Sequence, residues 1–274
     1  MILKKNLHKA FFLFLMSHLF LWTLIPSLTN INLPLDTIEA LAWGSNLDWG
    51  FNKHPPFSAF AVEFFFRIFG NQDWAYYFLS QIFLITSFIM VFKLAKEFFN
   101  NLNLAFLSVL LLEGIFFFNY TTPEFNVNIS QLPFWALSIF FAWKCIKFDQ
   151  SKDYIFLGVF MGLGFLSKYL FLYLIIGIKL MFINLLFKKK IKSYNFLLVG
   201  PIFLIIIFPH LLWLIENNFV TIKYGLQRSS GDGSLANHII FPITFFLKQI
   251  LILIPFFFMV FCLVKKKIKF KKFI

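Results

Sequence analysis

The chain has 274 residues, of which 60% are hydrophobic, 45 are Phe and only 14% are charged. That length suits one or two soluble domains. A mean hydropathy of +0.80 excludes them, because the apolar runs recur at about 20 residues, the length that crosses a bilayer core as a helix. The net charge of +13 sits mostly in lysine clusters at the ends of those runs, as the positive-inside rule requires, so nucleic acid is excluded as a partner. Cys145 and Cys262 offer neither a disulfide framework nor metal spacing, and read as small apolar residues.

Lys4, Lys5 and Lys9 precede an apolar stretch over residues 10–28. No small-residue cleavage site follows, so an uncleaved first transmembrane helix is expected rather than a signal peptide, with its N-terminus inside and Pro26 at its end. A polar island comes next, residues 33–56, LPLDTIEALAWGSNLDWGFNKHPP, within an outer loop over residues 29–73. Residues 57–69 read as a short interfacial helix stopped by Gly70 and Asn71, with Glu63 and Arg67 paired four apart.

Residues 74–92 form a second span, and Lys93 and Lys96 place its end inside. Residues 104–118 lead out to a polar break, NYTTPEFNVN over 119–128, and residues 129–143 return to Lys144, Lys147 and Lys152. The apolar stretch 154–186 runs between two lysine-rich ends, the second being Lys188, Lys189, Lys190 and Lys192. Two inside ends require a helical hairpin, which puts its middle, GLGFLSKYL with Lys168, on the outer side. Residues 194–215 go out, with kinks expected at Pro201 and Pro209. An outer loop over 216–238 carries Lys223, Arg228 and a flexible SSGDGS, and residues 241–264 return to KKKIKFKK. The expectation is an all-α, polytopic membrane protein with about eight helices, both termini inside, and one transmembrane unit over 1–274.

This topology collects Asp36, Glu39, Lys53, His54, Glu124, Lys168 and Arg228 on the outer side, from four separate connections. Ionisable groups near a bilayer are expensive, and so are candidates for function. Asp36 and Glu39 lie three apart and share a helical face, which suits a general base or a divalent cation held by hard oxygen ligands. The same spacing also suits a cap and a capping box at a helix start. His54 is presented rigidly by Pro55 and Pro56. Lys53 suits a phosphate or an interfacial snorkel. Glu124, after Pro123, suits a site carboxylate or a helix-dipole partner. Lys168 calls for an anion, either a bound phosphate or a lipid headgroup. Arg228 fits an anion or plain solvent. Trp43, Trp49, Trp74 and Trp213 read as an interfacial aromatic belt.

Four elements in this order resemble the GT-C membrane glycosyltransferases. They are LDTIEALAW with Asp36 and Glu39, NKHPPFSAF with His54, TTPEFNVN with Glu124, and GLGFLSKYL with Lys168; PHLLWLIENNF with His210 and Trp213 adds a fifth. The chain is similar to the bacterial branch of the dolichyl-phosphate-mannose protein mannosyltransferase superfamily (glycosyltransferase family 39), with the lipid A aminoarabinose transferases as relatives. The resemblance covers residues 1–250. It departs in having Glu124 where many relatives carry Asp, and in having fewer spans, as in a minimal or truncated member.

The resemblance implies a polyprenyl-phosphate-linked sugar donor and transfer with inversion, on the outer face of the plasma membrane, to a lipid, glycan or protein acceptor. It implies Asp36 as base, supported by Glu39 and Glu124 or by a divalent cation they hold. It implies Lys53, His54, Lys168 and Arg228 as partners of the donor phosphate. The competing readings are a transporter or flippase of a lipid-linked substrate, which would place charges inside spans and show repeated halves, and an inactive fragment. No repeat is visible.

Overall fold

The computed structural model describes residues 2–188, 193–229 and 235–264, and these are helical throughout apart from turns and loops. The lysines at 189, 190 and 192, nearly all of SSGDGS and the closing basic run lie outside the described residues.

Helix α1, Ile2–Thr29, is the first span, and it passes through Pro26 rather than ending there, because a proline in the last turn costs only one backbone bond. Helices α2, Leu35–Gly44, and α3, Phe57–Phe69, make up the helical part of the outer loop. Gly70 ends α3 in the left-handed region at φ 67°, and Arg67 pairs with Glu63 at 2.7 Å, as expected. Helix α4, Asp73–Phe99, is the central span, with half of its most apolar window buried against neighbours.

The third crossing differs from the expected one. Helix α5, Leu102–Leu110, starts on an Asn101 cap but ends halfway, and the chain continues through two 3₁₀ turns, Leu111–Gly114 and Phe116–Phe118. The break delivers Glu113 to His18 of α1, with Oε1 2.7 Å from Nδ1 and the imidazole buried. Phe118 then stacks on Phe88 of α4, which covers irregular backbone that lipid alone could not satisfy. His18 and Glu113, which fall in the expected first and third spans, are thereby brought together as a pair, a contact the sequence gives no sign of.

Helix α6, Val127–Phe148, follows an Asn126 cap, and an Asp149 left-handed turn leads straight into α7, Ser151–Ser167. Lys168 breaks that helix in extended backbone, and α8, Leu172–Phe187, runs back, so Phe182 lies 6.0 Å from Tyr154 near the start of α7. That is the expected hairpin. The short α9, Ser193–Phe196, precedes α10, Val199–Glu216. Gly158 and Gly162, one turn apart on α7, let α10 approach closely: a Cβ on either would meet Ile202 or Ile206 within 2.9 Å.

The loop after α10 is not irregular, since it holds α11, Val220–Ser229. The last expected span starts early and bends by 43°, between α12, Leu235–Ile252, and α13, Ile254–Val264. Among the described residues, five helices are long and apolar enough to cross a membrane, six if that bent pair counts as one. Two of the eight expected crossings fall short of that length, the broken α5 segment and the 17-residue α7.

Candidate active site

Three connections and two helix ends meet above the bundle, at the end where α4 and α6 begin. Asp36 lies in the first turn of α2 and is exposed. It does not cap the helix: Pro34 occupies the cap position and offers no side-chain bond of its own. The capping box is equally unfilled, because Glu39 reaches Lys53 instead, Oε1 to Nζ at 2.5 Å. Lys53 is thus held by a carboxylate, which raises its pKa above the ordinary lysine value.

Glu124 does not serve the start of α6, where Asn126 is the cap. Its Oε1 accepts the backbone N–H of Asp36 at 3.3 Å, and Thr37 donates to the Phe125 carbonyl at 3.2 Å. A carboxylate at a helix start accepts an otherwise orphaned N–H and favours the dipole. The TTPEF segment therefore fixes the turn that carries Asp36.

His54 lies at the centre of the assembly. The Phe51 N–H donates to its carbonyl at 3.1 Å, Trp43 stacks on Phe51 at 5.2 Å, and the Trp43 ring meets the imidazole edge-on at 5.9 Å. Burial is the main cause that lowers the His54 pKa below 6.5, and the charge of Lys168 adds to it. Asp36 and Glu39 act in the opposite direction. Lys168 donates to Asn128 Oδ1 at 2.5 Å. Its own pKa falls through burial, with Arg228 adding to the fall and Asp36 opposing it. Arg228 is exposed on α11 and reaches the Tyr224 hydroxyl at 3.4 Å.

Two cavities share His54. A cleft of about 310 Å³ is lined by Lys53, His54, Lys168, Tyr169, Tyr224 and Arg228, among others. A crevice of about 10 Å³, room for roughly one water, lies among Asp36, Glu39, Trp43, Ser58 and Asn126. The seven residues singled out in the sequence are thus brought to one end of the molecule, the cations around the cleft and the acids beside it. Two larger grooves, about 750 Å³ between α1 and the start of α4 and about 650 Å³ between α8 and α10, carry a single charged residue each, Asp73 and Lys179. They lack the converging charges of the cleft.

Among the described residues, no three His, Cys, Asp or Glu side chains gather closely enough to hold a metal ion. Sequence reasoning missed Asn128, Tyr169, Thr221 and Tyr224. The asparagine carries no signal that separates it from the neighbouring cap Asn126, and the other three owe their place to α11 folding back onto the α7–α8 turn.

A family model described as dolichyl-phosphate-mannose-protein mannosyltransferase matches residues 53–213, more than half of the chain. The match contains Lys53, His54, Glu124 and Lys168; Asp36 and Glu39 precede it and Arg228 follows it. No curated protein and no solved structure matches the chain.

Proposed function

Because the chain belongs to the dolichyl-phosphate-mannose-protein mannosyltransferase family, and so is a multi-pass membrane glycosyltransferase using polyprenyl-phosphate sugar donors, we propose that the cleft around His54 binds the donor phosphate and that Asp36 is the base. The observation that carries this reading is the shared wall: His54 lines both the cationic cleft and the crevice of acids.

The phosphate of the donor lies against Lys168 and Arg228, neither of which has a carboxylate within salt-bridge distance among the described residues. Lys53 is already matched by Glu39 and acts more to shape the cleft than to neutralise the ligand. The Asp36 carboxylate takes the proton of the acceptor hydroxyl or amine. The acceptor atom attacks the anomeric carbon from the opposite side, the bond to the phosphate oxygen breaks, and the configuration inverts. The departing polyprenyl phosphate carries the new negative charge, which fixed cations in a poorly solvated site stabilise strongly. Glu124 holds the turn beneath Asp36, and Glu39 holds Lys53 in place.

The positive-inside rule puts this end outside the plasma membrane, opposite Lys93, Lys96, Lys144 and Lys147. A hexose or pentose then goes to an envelope lipid, glycan or protein, and residues 29–73 form an outer loop of a single transmembrane unit.

The deciding experiment is Asp36→Asn, assayed in membranes with a polyprenyl-phosphate sugar. Transfer is expected to fall by about 10²–10⁴ while expression and insertion persist. Unchanged transfer removes Asp36 from the reaction.

A further inference from the structure

The loop that presents Lys53 and His54 is gripped at three successive residues by the far end of the chain. His210 of α10, fully buried, contacts the Trp49 carbonyl through Nδ1 at 2.6 Å. The ring of Trp213 fills the space beside Gly50, where any Cβ would lie 2.3 Å from it. The buried Thr221 of α11 donates to the Phe51 carbonyl at 2.6 Å. His210 has a second partner, the Tyr169 hydroxyl, 2.7 Å from Nε2.

A carbonyl only accepts, so Nδ1 carries the proton and donates to Trp49. In the neutral ring Nε2 is then the acceptor, and Tyr169 donates to it. Tyr169 directly follows Lys168. A single imidazole therefore spans the outer loop and the α7–α8 turn, the two segments that supply His54 and Lys168 to the cleft. Trp213 lies nearly parallel to the ring, at 13°, and shields the clasp from water.

We propose that His210 is a positioning residue whose two nitrogens fix the distance between the His54 loop and Lys168, and so set the width of the anion cleft. The role in catalysis rests on the donor-phosphate reading; the clasp itself does not.

The test compares His210→Leu, His210→Gln and His210→Asn in the full chain. Asparagine places an amide N–H near the position of Nδ1 and keeps the bond to Trp49; leucine loses both bonds; glutamine reaches toward Tyr169 instead. The measurements are amide hydrogen exchange over residues 49–54 and 168–171, binding of a polyprenyl monophosphate, and thermal unfolding. In H210L the loop amides are expected to exchange about tenfold faster and the phosphate to bind about tenfold more weakly, since a buried carbonyl loses its donor. H210N should protect residues 49–54 but not 168–171, H210Q should do the reverse, and neither should restore phosphate binding, since each keeps only one of the two bonds.

Unchanged loop exchange in H210L overturns the clasp. Faster exchange with unchanged phosphate binding overturns its control of the cleft. Should H210L fail to fold, Tyr169→Phe, which removes the hydroxyl bonded to Nε2 at nearly constant volume, is read by the same criteria over residues 168–171. If the wild-type chain binds no polyprenyl phosphate, the donor reading fails, and exchange alone decides the clasp.

Discussion

The two polar ends of the bundle treat charge in opposite ways. At the end where α6 turns into α7, two lysines are matched by acids on other helices. Lys144 lies 2.8 Å from the buried Asp153, Lys147 bridges Glu97, and Asn195 bonds the Asp149 carbonyl at 2.9 Å. At the His54 end Lys53 pairs with Glu39 and Arg67 with Glu63, while around the cleft Lys168 and Arg228 are held by an amide and a phenol, with no carboxylate within salt-bridge distance among the described residues. The first pattern staples helices together. The second leaves positive charge for something the chain does not itself supply. A third arrangement, His18 with Glu113 inside the spans, belongs with the staples, since it ties the broken α5 segment to α1.

Substitutions at the two ends should therefore separate activity from stability. The largest expected effect is that of Asp36→Asn on transfer, with the unfolding temperature unmoved. Next is Lys144→Met, which leaves the buried Asp153 carboxylate without a cation. It should destabilise the chain by about 3–5 kcal/mol, seen in thermal unfolding, with the folded fraction still active. Lys168→Gln should do the reverse, weakening donor binding by about tenfold to a hundredfold at nearly unchanged stability, read as a rise in KM for the donor. If Lys168→Gln instead unfolds the chain and spares KM, the contrast between the ends is wrong.

A smaller effect is a pH dependence of phosphate binding. The pKa of His54 lies below 6.5 in the free chain, and an anion beside it favours the charged ring. Binding then takes up a proton, so affinity should rise as pH falls toward and below 6.5, and His54→Gln should flatten that rise. The sign for stability is the opposite: the unfolded chain takes the proton more readily, so folding weakens as pH drops through 6.5. Smallest of all, Lys147→Gln breaks a half-exposed bridge to Glu97 and should cost less than about 1 kcal/mol with no change in transfer.

Much of the helical framework was legible before any coordinates. Apolar length marked α1, α4, α6 and α10, and the bounds of α3 follow directly from Pro56 and Gly70. Lysine clusters forced the α7–α8 hairpin and put Lys168 beside the polar loop. Local rules failed where a distant partner outweighed them. Asp36 and Glu39 have the spacing of a cap and a capping box, yet Glu39 gains more from a lysine 14 residues away, and the helix start is served by Glu124 from 88 residues away.

The sequence by itself determined the class of molecule, the ends of most helices and which charges would share a side, because hydropathy, turn residues and lysine clusters act over a few neighbouring positions. Only the tertiary structure decided the break in α5 at Glu113, the helical nature of 220–229, the division between matched and unmatched cations, and the grip of His210 on Trp49. These contacts join residues far apart in the chain, where periodicity carries no information and packing alone determines which groups meet.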